Sequence, residues 1–521
     1  MATVALILNA VTVVLGAFQY GHHIGELNSP QKVITTCPDP ENPPSSFAVA
    51  GLSAAAAAAV GGPTLEKVGS LPTCIPMTNF EWSVLVATLS LGGLVGSLFV
   101  GSRLADRLGR RGAMMVNNAP LVLGSLAMGM ASSYGTMILG RFLIGVGCGA
   151  STVIVPLYLA EISPAELRGT LGVMNQLGIV VGILFSQVLG LYYSTETEWR
   201  TILLAGAGLG VVQVFALPFC QESPRYLALQ PGGTAKAKRS LQILRGRQDV
   251  AKEIRDWTRQ DERAIVAEEE GTLGTSPLLN EIGDPLLVGG AGDSGDDING
   301  ISATHGSGGL SVVEFVTMPR YRRPLLILSL VQLSQQLSGI NGVIFYSTAI
   351  MSQILPNSGA MITVYISIVN VIMTVIAAYL MDKAGRRTLL MVSASAMGIS
   401  SFLLAWSLNY EIPKLSAFSI IAFVATFAIG LGPIPFLIIP EVVDTAAVAS
   451  ASAYALSVNW TTNFIVSVMF LKLQEWWGGN VFYLFFVTLC LLTVAINRVI
   501  PETRGKTVEE VVKSWQPSHR H

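Results

Sequence analysis

The sequence predicts an all-α membrane protein of 12 transmembrane helices, built as two related six-helix bundles, and three observations carry that prediction. The 521 residues are 51% hydrophobic and only 12% charged, with a mean hydropathy of +0.56, which is more apolar side chain than a water-soluble core holds. The apolar residues form long runs, and windows of about 20 residues, the length of helix that crosses a hydrocarbon core, fall into two groups of six. Landmarks of the first group then return in the same order in the second.

The first six spans start near Val4, Trp82, Ala113, Thr136, Gly169 and Thr201, and the second six near Pro324, Ala360, Thr388, Leu415, Ala447 and Asn480. Between them, Glu222 to Arg323 holds 28 of the 65 Lys, Arg, Asp and Glu residues. Residues 1–221 therefore form an N-terminal bundle, with 31–80 as an outer loop, and residues 320–500 a C-terminal bundle. The connecting loop, 222–319, starts as a basic helical stretch (Ala235 to Arg263) and turns into a Gly, Ser and Asp-rich segment near 271–309 that reads as disordered. Residues 501–521 form a tail. The alanine run Ala54 to Ala59 is too short for a span and reads as a cover on the outer loop. The first apolar stretch lacks the basic leader and small-residue cleavage site of a signal peptide and counts as a span.

The repeat is specific. Arg103-Leu-Ala-Asp-Arg-Leu-Gly-Arg-Arg111 after the second span is echoed by Met381-Asp-Lys-Ala-Gly-Arg-Arg387 after the eighth, with Asp106 and Asp382 at an offset of 276. Glu161 matches Glu441, and Glu222-Ser-Pro-Arg225 matches Glu502-Thr-Arg504, both at an offset of 280. Two copies of one six-helix unit imply a solute site at their interface, exposed to each side in turn as the halves rock. Loops rich in Lys and Arg stay cytoplasmic, which places Arg103 to Arg111, Arg168, Lys383 to Arg387 and both termini on that side.

Each loop, Asp-Arg-x-Gly-Arg-Arg in the first half and Asp-Lys-x-Gly-Arg-Arg in the second, sets a carboxylate among guanidinium groups at helix ends, where forked Arg donors bridge carboxylates and helix C-termini. Asp106, Arg110, Arg111, Glu161, Arg168, Glu222 and Arg225 form a candidate latch in the first half, and Asp382, Arg386, Arg387 and Glu441 its counterpart. Simple topology-setting charge is the plainer reading, but both copies keep the acid with the bases.

The seventh span carries Gln332, Gln335, Gln336 and Asn341, an amide density unusual for a membrane helix, with Gln332 sharing a helical face with both other glutamines. A carboxamide donates and accepts together, which suits vicinal hydroxyls; its plainer use is to bond helix to helix. Gln176, Asn370, Asn459 and Trp460 add further amides and a ring face. Gly145-x-Gly-x-Gly149 follows no strand and reads as close helix packing rather than a phosphate loop. His22-His23 has no further His or Cys at ligand spacing, so no metal site is expected. Nothing resembles a catalytic triad or phosphate loop, no cofactor is expected, and a net charge of -1 gives no reason to expect nucleic acid. Cys148, Cys220 and Cys490 lie in or beside apolar helices, whereas Cys37 and Cys74 share the outer loop, as a disulfide or as two thiols.

These residues resemble the sugar porter family of the major facilitator superfamily, in particular facilitative glucose transporters and their fungal relatives. The resemblance rests on Gly16-Ala-Phe-Gln-Tyr-Gly21 with Asn28-Ser-Pro-Gln31, on Gly140-Arg-Phe142 with Pro156-Leu-Tyr-Leu-Ala-Glu161 and Leu167-Arg-Gly169, on Gln332 to Asn341, on Gly432-Pro-Ile-Pro435 and Asn459-Trp460, and on Pro501-Glu-Thr-Arg-Gly505. It implies the major facilitator fold and a carrier for a small neutral sugar, glucose or another hexose, held by Gln176, Gln335, Gln336, Asn341, Asn370 and Asn459. Gln332-Leu-Ser334 resembles a signature of glucose-accepting members; Tyr346 and Trp460 would serve gate and cavity, and Gly430 to Pro435 would bend the tenth helix.

The sequence also departs from the family. Proton-coupled relatives carry Asp in the first helix facing an Arg equivalent to Arg141; His23 stands there, so uniport is favoured, with proton coupling through Glu26 or His23 as the alternative. Phe436 replaces a frequent Trp, Ala428 a frequent Glu, and Val448 the Arg that usually partners Glu441, which predicts a looser second latch. Leu278-Leu279 and Leu286-Leu287 resemble sorting signals, so an endomembrane stands beside the favoured plasma membrane. A sugar sensor on the same fold is the rival of another class, and the short stretch after Pro501 argues against it. The sequence leaves the oligomeric state open.

Overall fold

The computed structural model describes residues 3–37, 67–68, 71–164, 167–251, 253–254, 311–355, 358–444, 447–506 and 510–511, excluding the side chains of residues 67, 68, 168 and 382. The alanine run, the 271–309 segment and both dileucines lie outside the described residues. The helices are α1 (Val4–Gly25), α2 (Gln31–Thr35), α3 (Asn79–Val95), α4 (Ser102–Gly129), α5 (Tyr134–Ile162), α6 (Arg168–Tyr193) and α7 (Trp199–Ala216) in the first half. The short α8 (Pro224–Ala228) and α9 (Thr234–Arg245) follow in the loop, then α10 (Val312–Thr317). The second half holds α11 (Arg322–Leu337), α12 (Ile340–Ile354), α13 (Gly359–Ala384), α14 (Arg386–Asn409), α15 (Pro413–Ile429), α16 (Ile434–Leu437), α17 (Ile439–Val442), α18 (Val448–Trp477) and α19 (Val481–Val499). A two-residue ladder, β1 (Lys67–Val68) against β2 (Leu71–Pro72), sits in the outer loop.

Among the described residues, nine stretches are long and apolar enough to span a bilayer, and two of them, Asn79–Gly129 with 51 residues and Val448–Val499 with 52, are too long for a single crossing. The first reverses at Gly109 and the second at Gly478, giving two spans each, and α11 with α12 makes one more that is broken at Ser338 and Gly339. The described residues thus hold the predicted 12 spans, each starting within a few residues of its expected position.

The bundle is inside-out relative to a soluble protein. On α1, Val4, Leu8 and Val11 face outward while Asn9, Gln19, His22 and His23 are buried, the arrangement a lipid solvent demands. Close helix approach follows the glycines: a Cβ on Gly145 would sit 2.4 Å from Leu89 O on α3, and one on Gly149 2.1 Å from Gly93 O. The glycine-rich stretch is therefore a packing seam, as the sequence predicted.

One end of the bundle carries the Arg-rich loops. At the other, Cys37 and Cys74 form a disulfide, which resolves that alternative. The linked segment is also held by backbone and side chains: Ile75 N donates to Ile34 O at 2.8 Å, Trp199 Nε1 to Thr73 O at 2.7 Å and Arg200 Nη2 to Pro72 O at 2.7 Å.

Candidate solute site between the halves

Two glycines and two prolines between Gly430 and Pro435 interrupt the tenth span after α15, because proline supplies no N–H to continue the helical ladder. Carbonyls of this interrupted stretch are met by the seventh span. Gln335 Nε2 donates to Leu431 O at 3.0 Å and Gly432 O at 2.8 Å, and Gln332 Nε2 to Pro435 O at 3.0 Å. Asn459 on α18 joins them, donating to Gln332 Oε1 at 2.8 Å and Gln335 Oε1 at 2.7 Å and accepting from Gln336 Nε2 at 3.0 Å. Asn341 donates to Gln336 Oε1 and closes the network.

Among one another, the amides bond helix to helix, the plainer use the sequence allowed. Gln332, fully buried with donor and acceptor both engaged, binds helix to helix, while Gln335, Gln336 and Asn459 are nearly buried and Asn341 half-buried. Asn370 on α13 and Gln176 on α6 have no side-chain hydrogen bond among the described residues, which leaves their donors and acceptors available to a solute. Trp460 is buried against Tyr20 of the first half, with ring centroids 5.7 Å apart, and covers Gly93 on α3. Tyr346 on α12 is fully buried and stacks on Phe470 at 5.4 Å.

Of the two candidates on the first helix, His23 and Glu26, it is the carboxylate of Glu26 that pairs with Arg141: Arg141 Nη1 donates to Glu26 Oε1 at 2.7 Å and also to His23 O at 2.7 Å. The two positions share a helical face at i,i+3 spacing, so the acid one turn further on reaches the guanidinium. His23 Nδ1 lies 3.0 Å and His22 Nε2 3.5 Å from Glu26 Oε2, and all four side chains are shut from solvent. His22, His23 and Glu26 bring three ligand atoms within 4.8 Å of one another, a grouping that Cys and His spacing alone did not reveal. Arg141 already neutralises the Glu26 charge there.

At the arginine end the predicted residues assemble around a sharp turn. Arg110 Nε and Nη2 each reach Glu161 at 2.8 Å, and Glu222 accepts from the backbone N–H of Arg110 at 2.9 Å and of Arg111 at 3.1 Å. Arg111 Nη1 donates to Cys220 O at 3.0 Å. Asp106 stands at the rim, 72% exposed and 3.9 Å from Arg110, and Arg225 lies on α8. In the second half Arg386 reaches Glu441 at 3.0 Å and Arg387 Nη2 reaches Asn497 Oδ1 at 2.7 Å. The side chains of Arg168 and Asp382 are outside the described set. Thr503, which donates to Glu441 Oε2 at 2.6 Å, escaped sequence reasoning because a threonine beside a repeated acid carries no signal of its own.

Two six-helix halves, a bent tenth span and an amide cluster at their junction define a membrane carrier. The chain belongs to the sugar (and other) transporter family, whose model matches residues 8–515. It is a sugar transporter of the alternating-access type and not an enzyme. It is 36% identical to the facilitated glucose transporter member 3 of Canis lupus familiaris, covering 99% of this chain and 93% of the relative. To member 4 of Mus musculus it is 36% identical over 99% of this chain and 91% of the relative, and to a probable metabolite transport protein of Saccharomyces cerevisiae 32% identical over 96% and 93%. Its fold matches the xylose transporter XylE from E. coli in a partially occluded inward-open conformation, with a TM-score of 0.69 at 19% identity over 97% of this chain and 100% of the other. The proton:xylose symporter XylE bound to 6-bromo-6-deoxy-D-glucose gives a TM-score of 0.71 at 18% identity over 99% and 100%.

Proposed function

We propose that the protein carries a hexose, glucose or a close epimer, by facilitated uniport, with the arginine end and both termini cytoplasmic and the plasma membrane as its location. The observation that supports this most is the division of labour among the amides. A pre-bonded set on α11, α12 and α18 holds its geometry in the absence of solute, and Gln176 and Asn370 keep free hydrogen-bonding capacity for sugar hydroxyls. The relatives named as facilitated glucose transporters point the same way. The test is uptake of labelled glucose by the purified protein in liposomes. Wild type takes it up to equilibrium, and Gln176→Ala, which strands no protein partner, lowers kcat/KM about tenfold, the loss of one to two hydrogen bonds. A folded wild type that moves no monosaccharide overturns the reading.

One observation favours proton symport as a second reading. A buried carboxylate, Glu26, faces Arg141, and a carboxylate able to gain a proton and release that guanidinium is what coupling needs. Under an inward proton gradient, accumulation above equilibrium that Glu26→Gln abolishes would select symport; a gradient-independent steady state selects uniport.

A further inference from the structure

The helix that opens at Arg386 in the arginine cluster, α14, stops at the disulfide end on a residue its backbone does not suit. Ile412 N–H donates to Ser407 O at 2.9 Å and Glu411 N–H to Leu408 O at 3.4 Å, the paired bonds of a helix stop that needs one left-handed residue. Glycine usually fills that place, as Gly246 does after α9 at φ 62°. Here it is Glu411, at φ 53°, and among the described residues no other non-glycine has a positive φ. A side chain kept where glycine would cost less points to a use for that side chain.

Glu411 stands on the rim of a cavity of about 310 Å³ between the ends of α12, α14 and α18. That volume lies at the small end of the range of small-molecule sites. Gln353 from α12 and Gln474 from α18 line it beside Glu411, and none of these three side chains has a hydrogen bond or ion pair among the described residues. Leu408 and the buried Phe482 supply apolar wall. The wall is braced. A Cβ on Gly479 would lie 2.8 Å from Leu408 Cβ, and Asn409 Nδ2 donates to Asn480 Oδ1 at 2.6 Å, which fixes the turn after α18 against the end of α14.

We propose that this cavity is a second hexose site, at the disulfide end of the second half and apart from the amide cluster between the halves. The proposal rests on the carrier reading and adds a place where the same class of solute docks. A carboxylate accepts from two adjacent hydroxyls, the two carboxamides donate and accept around it, and the apolar wall takes the C–H face of a sugar ring. A cation is the poorer fit, because Glu411 is exposed and a charge pair in water is worth little, whereas a polyol makes several neutral hydrogen bonds at once. Gln353 lies near the end of α12, whose other end carries Asn341, so one helix joins the two sites.

The test is amide exchange of the full chain in nanodiscs, with and without D-glucose, for wild type, Glu411→Gln and Glu411→Gly. Glucose at about ten times its dissociation constant slows exchange in residues 406–416 and 474–482 of wild type about tenfold. Glu411→Gln reduces that protection and Glu411→Gly abolishes it. Glu411→Gly also relieves the left-handed backbone and raises Tm by about 1 °C, so a damaged fold does not account for the loss. Equal protection in wild type and Glu411→Gly, or protection by ethanolamine in place of glucose, overturns the proposal. So does an unprotected 406–416 segment in wild type, whatever the uptake assay gives. Uptake in liposomes decides the carrier reading separately: a wild type that moves no hexose yet shows the Glu411-dependent protection loses that reading and keeps this site.

Discussion

The two arginine clusters share one backbone plan and differ in how dry they are. In each half a glycine with positive φ, 78° at Gly109 and 85° at Gly385, turns the chain so that the following Arg donates its backbone N–H to an acid from the end of its half, Glu222 at 2.9 Å and Glu502 at 2.8 Å. In each, that Arg also sends Nη1 to the carbonyl five residues back, Ala105 at 3.1 Å and Met381 at 3.0 Å. The insulation differs. Arg110 and Glu161 are 10% and 7% exposed, with two bonds of 2.8 Å, while Arg386 and Glu441 are 20% and 26% exposed, with contacts of 3.0 Å and 3.1 Å. Duplication preserved the scaffold, and the copies then diverged in the strength of what it holds.

That difference should be measurable in unfolding. Glu161→Ala leaves the Arg110 guanidinium buried without its counter-charge and is expected to cost about 3 kcal/mol, read as a lowered Tm of the purified protein. Glu441→Ala should cost about 1 kcal/mol, because water reaches Arg386. Equal losses would mean that exposure does not separate the clusters. The turns should instead respond alike. A Cβ on Gly109 would lie 2.5 Å from Glu222 Oε2 and one on Gly385 2.5 Å from Glu502 Oε2, at φ,ψ of 78°,172° and 85°,155°, a region kept for glycine. Gly109→Ala and Gly385→Ala should each cost about 2 kcal/mol, and a clear inequality would show that the shared plan is not equally required.

Much of this was legible in the sequence because periodicity and repetition report on backbone. The 12 spans, the paired Arg loops and the matching of Glu222 with Glu502 follow from apolar run length and a near-constant offset. What the sequence hid depends on which side chain reaches which partner. It left His23 and Glu26 both open as the group facing Arg141, and only the structure shows that the Glu26 carboxylate makes the pair. It read Gln332 as a sugar contact, but could not show that a proline-bent helix would claim its amide through Pro435 O.

The smallest expected effect tests why the second cluster is looser. Val448 stands 280 positions after Arg168, at the start of α18 and half-buried. Part of what an arginine there would supply is taken over by Thr503, whose hydroxyl donates to Glu441 Oε2 at 2.6 Å. Val448→Arg therefore adds a donor to a carboxylate already engaged by Arg386 and Thr503, in a place that water reaches, and should stabilise by no more than about 0.5 kcal/mol. In a Thr503→Val background the same substitution meets a carboxylate oxygen with no partner and should gain about 1 kcal/mol. Tm shifts of the two single variants and the double variant give the coupling directly. Additive shifts would mean that Thr503 does not stand in for the missing arginine, and that the looseness of the second half lies in its exposure alone.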